Sequence, residues 1–232
     1  MLDVNRVHNI DCIEGMKKLP DRSIDLVVAD PPFFVVEHYQ SWINWRKNYG
    51  DLSPLKVFWD VVVGQLARVL KKEGHLFVFC NGGSYPVFFE PTYNRFDKLK
   101  ALVWDKTRIG MGRTFRNQHE LIIWARWQEA FLSKDKTVRA DVLNVSPTLP
   151  KDRQHPVEKP PELIKELILP TTRERAIVLD PFMGAGSTAL ACLQTNRRFI
   201  GMDISKEYCE TANRRAGQLG AHPEEFPRSR RK

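Results

Sequence analysis

The stretch "AIVLDPFMGAGSTALACLQTNRRFIGMDI", residues 176–204, decides the fold class of this chain. A short apolar run ends in an aspartate, and a glycine-rich turn and a helix-like segment follow. A second apolar run then ends in another aspartate. This is the order of a βαβ unit, in which two parallel strands are joined by a helix. The stretch therefore predicts a parallel sheet covered by helices.

The glycine-rich turn has the spacing of a nucleotide-binding turn. Gly184, Gly186 and Ala189 satisfy G-x-G-x-x-G/A, and Asp203 follows Gly184 by 19 residues. Such glycines let a ligand approach the backbone, and the helix that begins near Ser187 directs N–H groups at negative charge. An acidic residue at this spacing is placed to bind a ribose. The pattern alone fits NAD, FAD, S-adenosylmethionine or a tight turn without a ligand.

The position of this unit in the chain argues against a dehydrogenase. Only 29 residues follow Asp203. A dinucleotide fold normally has its second mononucleotide half after the first, so a dehydrogenase would need a permuted chain.

Strand-like and helix-like segments alternate through most of the remaining sequence. "IDLVVAD" (residues 24–30) and "GHLFVFC" (residues 74–80) fit strands buried on both faces. Between them, the pattern predicts a helix that begins near Ser53 and ends at Gly74. Residues 101–127 contain two strand-like ends around a polar, cationic loop, which predicts an antiparallel hairpin at the edge of a doubly wound α/β sheet. We expect a single domain over residues 1–232, with a loop or short insertion at 128–154 and a disordered basic tail at 221–232.

Composition narrows the class of protein. The 232 residues carry a net charge of +8, which favours a polyanionic partner, although many basic proteins bind no nucleic acid. The four cysteines form no CxxC pair, so neither a zinc site nor a dithiol is indicated, and we expect no metal. The sequence has no signal peptide and no bilayer-spanning segment, which predicts a cytoplasmic protein without a membrane partner.

A second turn, in "DLVVADPPFFVV" (residues 25–36), also carries chemistry. Asp30 ends an apolar run, and Pro31 and Pro32 fix two φ angles and remove two backbone donors. Ligands of open α/β sheets bind outside the carboxyl ends of the strands, so we expect Asp30 and Asp180 to share one crevice. The Asp30 carboxylate and the Pro31 carbonyl could accept both N–H groups of an exocyclic amine, and Phe33 could stack on a base. The alternative is an ordinary turn at the end of a strand.

The two turns together resemble the signatures of the amino-group DNA methyltransferases, which methylate adenine N6 or cytosine N4. These signatures are an Asp/Ser/Asn-Pro-Pro-aromatic turn and a D-x-F-x-G-x-G-[ST] turn, here residues 30–33 and 180–187. The catalytic turn comes first, as in the beta class of that family. "HELIIW" (119–124), "HPVEKPPELI" (155–164) and "GMDISKEYCETANRR" (201–215) are also similar to family segments. The resemblance implies a Rossmann-like, doubly wound, mostly parallel seven-stranded sheet.

The resemblance implies transfer of a methyl group from S-adenosylmethionine to adenine N6 in double-stranded DNA. Asp30, Pro31, Pro32 and Phe33 would be catalytic, with phenylalanine replacing the commoner tyrosine. The implied cofactor-binding residues are Asp11, Cys12, Asp30, His155, Lys159, Asp180, Phe182, Gly184, Gly186, Ser187, Thr188 and Asp203. Asp11 would lie near the adenine amine of the cofactor or cap a turn, and His155 would belong to a cofactor lid or to an ordinary loop.

The loop of the predicted hairpin supplies candidate DNA contacts. Lys106, Arg108, Arg113 and Arg116 would bind phosphates or a groove, or would form a solvated loop face. The segment at the family's target-recognition position is very short, which argues against elaborate sequence specificity. The resemblance leaves a homodimer and a cognate restriction endonuclease open.

Amine methylation places limits on the mechanism. Hydrogen bonds to Asp30 and to the Pro31 carbonyl would direct the amine lone pair at the sulfonium methyl group, without a covalent intermediate. A duplex base would have to flip out to reach such a site. Aspartate at position 30 leans toward adenine within the family, and cytosine-N4 methylation is the nearest alternative. Methylation of an RNA base or a protein glutamine, and a catalytically silent DNA-binding module, are further alternatives.

Overall fold

A computed structural model describes residues 1–32, 53–110, 114–133, 139–149 and 158–227. Within these residues, one eight-stranded sheet is covered by six helices. The strands are β1 (Arg6–Asn9), β2 (Ile24–Ala29), β3 (Leu70–Cys80), β4 (Lys98–Asp105), β5 (His119–Arg126), β6 (Val142–Asn144), β7 (Ile177–Asp180) and β8 (Arg198–Asp203). The helices are α1 (Cys12–Lys17), α2 (Ser53–Val69), α3 (Tyr85–Tyr93), α4 (Pro161–Thr171), α5 (Ser187–Gln194) and α6 (Lys206–Gln218).

The sheet is doubly wound and mostly parallel, as the sequence predicts. Its strand order is β1-β8-β7-β2-β3-β5-β4-β6, and only the β3–β5 and β4–β5 pairs are antiparallel. The chain passes from β7 to β8 on one side and from β2 to β3 on the other. The boundary between β7 and β2 is therefore the topological switch point, where ligands bind in open α/β sheets.

Apolar side chains on both faces of the sheet explain why the central strands are continuous apolar runs. On β2, Val27 and Ala29 belong to a core cluster with residues of α1, α2 and α3. Leu26 and Val28 belong to a second cluster with residues of α4, α5 and α6. Because successive side chains of a strand point to opposite faces, both faces are apolar only if nearly every residue is apolar.

The strand count and the position of the hairpin differ from expectation. The sheet has eight strands rather than seven, because Val142–Asn144 pairs in parallel with β4. The β4–β5 hairpin is consequently one strand in from the edge. The extra strand satisfies backbone groups that β4 would otherwise expose, and Trp104 Nε1 donates to the Val145 carbonyl at 2.8 Å. A three-residue strand inside a polar loop leaves no hydrophobic periodicity to detect.

The helix that precedes β3 ends earlier than expected, at Val69 rather than at Gly74. Gly74 lies within β3, beside a register shift between β2 and β3. A Cβ atom at Gly74 would lie 2.8 Å from the Asp25 carbonyl oxygen and 2.7 Å from Leu70 Cδ1. This glycine therefore permits a close approach between strands instead of ending a helix.

The expectation of disorder from residue 221 is wrong for residues 221–227. Glu224 pairs with Val4 through two backbone hydrogen bonds of 2.8 and 3.0 Å, and the Phe226 side chain is buried. Residues 228–232 lie outside the described residues. Among the described helices, none has the length and apolar character needed to cross a membrane.

Candidate active site

Three carboxylates lie at the carboxyl ends of adjacent strands at the switch point. Asp30 follows β2, Asp180 ends β7 and Asp203 ends β8, and these strands are neighbours in the order β8-β7-β2. Burial, together with the charges of Asp30 and Asp203, raises the pKa of Asp180 to about 7. The two turns identified in the sequence thus open at one edge of the sheet, as predicted.

Asp180 shapes the glycine-rich turn from within. Its Oδ2 atom accepts a hydrogen bond from Thr188 Oγ1 at 2.5 Å, and its Oδ1 atom accepts one from the Phe182 N–H at 2.9 Å. The Asp180 and Thr188 side chains are both buried. Asp180 and Thr188, expected near the cofactor, therefore contact each other and hold the turn in shape.

The backbone of this turn depends on two glycines with positive φ. Gly184 has φ of 52° and Gly186 has φ of 98°, a region that favours glycine. A Cβ atom at Gly186 would also lie 2.9 Å from Ala212 Cβ on α6. Asp203 Oδ2 accepts from the Gly184 N–H at 2.9 Å, and Asp203 Oδ1 accepts from the Ser205 N–H at 2.8 Å. Each carboxylate oxygen has a second lone pair with which it could accept from a ribose hydroxyl.

A buried ion pair supports the same turn from outside. Glu158, whose side chain is only 2% exposed, lies 2.8 Å from Arg215 Nη2 and accepts from Ser187 Oγ at 3.2 Å. Arg215 Nη1 donates to the Ala185 carbonyl at 2.7 Å. Neither Glu158 nor Arg215 was predicted from the sequence, because nothing in their local sequence distinguishes them from surface residues.

The Asp30 turn is held by a residue from a distant part of the chain. Lys159 Nζ donates to Asp30 Oδ2 at 2.7 Å, and the lysine side chain is 7% exposed. Burial raises the pKa of Asp30, and the Lys159 charge opposes this shift. Among the described residues, the buried Oδ1 atom of Asp30 has no hydrogen-bond partner. Pro31 is buried and Pro32 is half-buried, whereas Phe33 lies outside the described residues.

Lys159 belongs to a row of four alternating charges, which we call the ion chain: Asp30, Lys159, Glu120 and Lys106. Lys159 Nζ lies 3.4 Å from Glu120 Oε2, and Lys106 Nζ donates to Glu120 Oε1 at 2.6 Å. Burial alone would lower the pKa of Lys159, but the two carboxylates outweigh it and the net shift is upward. Burial would likewise raise the pKa of Glu120, but the two lysines outweigh it and the net shift is downward. Both net shifts favour the charged form, of Lys159 and of Glu120 respectively.

The remaining described residues assigned to the cofactor lie around the same edge of the sheet. Asp11 caps α1, where its Oδ1 atom accepts from the Ile13 and Glu14 N–H groups at 2.9 and 3.1 Å. Cys12 is buried, and burial raises the pKa of its thiol to about 12. Phe182 is half-buried. His155 lies outside the described residues.

The cations assigned to DNA contact separate into two groups. Lys106 belongs to the ion chain, and its ammonium also lies 5.1 Å from the centre of the Trp104 ring. Arg108 and Arg116 are exposed in the β4–β5 loop, where Arg116 Nε donates to the Gly110 carbonyl at 2.6 Å. Arg113 lies outside the described residues. In the described part of the chain, no cluster of His, Cys, Asp and Glu side chains has the arrangement of a metal site.

Sequence comparison matches this chain to DNA methyltransferases. A family model of N6/N4 methyltransferases, described as DNA methylase, matches residues 24–214. The chain is 30% identical over 209 residues to the type II methyltransferase M.HhaII of Haemophilus parahaemolyticus, covering 87% of this chain and 91% of that protein. It is 27% identical over 260 residues to the type II methyltransferase M.HinfI of Haemophilus influenzae, covering 96% and 71%.

Solved structures match the same architecture. The complex of M1.HpyAVI with SAM is similar with a TM-score of 0.66 at 24% identity, over 90% of this chain and 98% of that one. The PvuII DNA methyltransferase, described as cytosine-N4-specific, is similar with a TM-score of 0.71 at 16% identity, over 94% of both chains. At these identities the likeness shows the fold.

Proposed function

The chain belongs to the N6/N4 DNA methylase family, and on this premise we propose that it methylates adenine N6 in double-stranded DNA, with S-adenosylmethionine as the methyl donor. The proposal goes beyond the family assignment in naming the base, the cofactor-binding residues and the catalytic group. It is supported by the chemistry of the residues at the switch point.

The observation that carries the proposal is the free oxygen of Asp30. Its buried Oδ1 atom has no hydrogen-bond partner among the described residues, while Oδ2 is bound to Lys159. An unpaired buried carboxylate oxygen is unfavourable unless a ligand supplies a donor. An exocyclic amine is such a donor, and the Pro31 carbonyl is positioned by sequence to accept its second N–H.

The residues around Asp30 fit S-adenosylmethionine. Asp30, Asp180 and Asp203 place three carboxyl groups at the edge where a sulfonium cation would bind, and Asp203 retains lone pairs for ribose hydroxyls. When bound, S-adenosylmethionine supplies an electrophilic methyl group on a positively charged sulfur. Phe182, half-buried beside this edge, offers an apolar contact for the methionine part. One structural relative, M1.HpyAVI, is described as a complex with SAM.

Asp30 performs the central chemical role. Its carboxylate accepts an N–H of the substrate amine, which favours a pyramidal nitrogen whose lone pair points at the methyl group. A base inside a duplex cannot reach a carboxylate at the sheet edge, so the enzyme must extrude it. A cysteine nucleophile is not needed: burial raises the pKa values of Cys12 and Cys80 to about 12, which keeps both thiols protonated.

DNA would approach from the β4–β5 loop. Arg108 and Arg116 are exposed there, and the same loop begins at Lys106, which belongs to the ion chain beside Asp30. Guanidinium groups at this position can bind phosphates and fix the register of the duplex over the site.

Cytosine-N4 methylation is the second candidate. Both bases present an exocyclic amine, and the PvuII relative is described as cytosine-N4-specific. Resemblance to the family favours adenine, because aspartate stands at position 30, the first residue of the Asp-Pro-Pro-Phe turn.

Identification of the methylated nucleoside tests the proposal. Unmethylated genomic DNA is incubated with the protein and methyl-labelled S-adenosylmethionine, digested to nucleosides and separated by chromatography. We expect the label in N6-methyldeoxyadenosine. Label in N4-methyldeoxycytidine would show that the substrate base is cytosine and not adenine. Label in neither nucleoside, with the wild-type protein folded and cofactor-bound, would reject the proposed reaction.

A further inference from the structure

We infer that Glu120 is a positioning residue for methyl transfer, which holds the Lys159 ammonium so that Asp30 Oδ1 stays available to the substrate amine. The inference rests on the proposed function and adds to it a residue that contacts neither the base nor the cofactor.

The sheet topology explains how Glu120 reaches the site. β5 runs antiparallel to β3, so its first residues lie at the edge where β2, β3 and β7 end. Glu120 is the second residue of β5 and pairs with Trp104 of β4. Its side chain is only 17% exposed. A carboxylate buried at this edge needs compensating cations, and both of its partners are lysines of the ion chain.

The geometry places Lys159 between two carboxylates. Its Nζ atom lies 2.7 Å from Asp30 Oδ2 and 3.4 Å from Glu120 Oε2, and it lies 5.3 Å from the centre of the Phe79 ring. Lys106 holds the other oxygen of Glu120 at 2.6 Å. The ammonium is therefore drawn from two sides, and only one oxygen of Asp30 is bound to it.

Loss of the Glu120 charge would change both the position of Lys159 and the charge balance of the ion chain. An ammonium has three N–H donors. With Asp30 as its one remaining anionic partner in the ion chain, Lys159 would move toward Asp30 and compete with the substrate for Oδ1. The charged or titratable groups that act on Asp30 are Lys159, Glu120, Lys106, Asp180 and Cys80. Among these, Glu120 raises the pKa of Asp30, so its neutralisation would lower that pKa.

The test is Glu120→Gln, measured as kcat, the KM values for DNA and cofactor, the equilibrium cofactor affinity and the pH dependence of kcat. We expect kcat to fall on the order of 10- to 100-fold, the loss produced by slight misplacement of a reacting group. Cofactor affinity should be unchanged. The acidic limb of the kcat profile should move to lower pH, because Asp30 stays ionised to lower pH in the variant.

Glu129→Gln is the matched control, because Glu129 is exposed beyond the opposite end of β5. It removes the same charge and should leave kcat and the pH profile at wild-type values. Glu120→Asp retains the charge with a shorter side chain. We expect an intermediate kcat with an unshifted acidic limb, and this variant replaces Glu120→Gln if the latter does not fold.

The outcomes separate this inference from the proposed function. Wild-type kcat in Glu120→Gln, or a lower kcat with an unshifted profile, would overturn the role of Glu120 and leave the proposed reaction intact. If only Glu120→Asp folds, a wild-type kcat or a shifted acidic limb in that variant overturns the role equally. Failure of the wild-type protein to transfer methyl groups to any DNA would overturn both.

Discussion

The glycine turn (residues 180–187) and the described part of the amine turn (residues 30–32) are held in shape by different parts of the chain. The glycine turn is fixed largely within its own βαβ unit: Asp180 accepts from Thr188, 8 residues away, and Asp203 accepts from Gly184, 19 residues away. The amine turn depends on Lys159, which lies 129 residues from Asp30. The first turn carries most of its supports in its motif, and the second takes its support from elsewhere in the fold.

Two consecutive residues of opposite charge, Glu158 and Lys159, each support one of the two turns. Glu158 binds Ser187 and Arg215 beside the glycine turn, while Lys159 binds Asp30 and Glu120. The comparison predicts a separation of effects. Changes at the glycine turn should alter cofactor affinity, and changes at the amine turn should alter turnover.

The largest effect is expected from Asp30→Ala. Loss of the carboxylate removes the acceptor for the substrate amine, and kcat should fall by about 10²–10⁴-fold, the range for a group that acts directly on the reacting proton. Equilibrium cofactor binding should persist. The control is Asp60→Ala, which removes an exposed aspartate of α2 that pairs with Arg95. It should keep full turnover. Substantial turnover by Asp30→Ala would break the assignment of the amine turn.

Lys159→Met tests the support of the amine turn. The variant keeps the length of the side chain but leaves Asp30 and Glu120 without their shared cation. We expect the free energy of unfolding to drop by about 3–5 kcal/mol, as when one partner of a buried ion pair is removed. Urea denaturation measures this. Lys165→Met removes a lysine paired with exposed Glu162 and should change stability by at most about 1 kcal/mol. Equal effects of the two variants would show that the ion chain is not a structural support.

Gly186→Ala tests the support of the glycine turn. Left-handed backbone costs an alanine about 1–2 kcal/mol, and its methyl group would crowd Ala212. We expect a loss of roughly 2–4 kcal/mol in the free energy of unfolding, since crowding in a packed interior adds about 1–3 kcal/mol. Gly217→Ala, at an exposed position of α6 with open space around its Cβ position, should instead stabilise by about 0.5–1 kcal/mol. A neutral Gly186→Ala variant would contradict the described turn geometry.

Glu158→Gln should give the smallest effect and sharpen the separation between the turns. The amide retains a hydrogen bond to Ser187 or Arg215 but loses the charge that holds the guanidinium. We expect cofactor affinity to weaken about tenfold, equivalent to about 1.4 kcal/mol, with little change in kcat. Isothermal titration calorimetry with S-adenosylmethionine measures the affinity. A lower kcat at unchanged affinity would show that the two turns are not functionally separate.

Most of the fold was predictable because the relevant interactions are local or periodic. Two-sided burial made β2 and β7 continuous apolar runs, and the positive-φ glycines lie in the motif itself. The two incorrect predictions about secondary structure have one cause, which is strand pairing between distant segments. Gly74 reads as a helix stop until β2 is placed against β3, and Val142–Asn144 is a strand only because β4 lies beside it.

The sequence by itself determined the glycine turn, the amine turn, their order and the doubly wound sheet, since each follows from residue types at fixed short spacings. Only the tertiary structure decided which oxygen of Asp30 is free and which residues hold the other. Asp30, Lys159 and the β4–β5 hairpin that carries Glu120 and Lys106 are three separate segments that meet where parallel strands end and an antiparallel strand begins. Charge compensation in a buried site depends on distance through space, and short-range sequence patterns do not encode that distance.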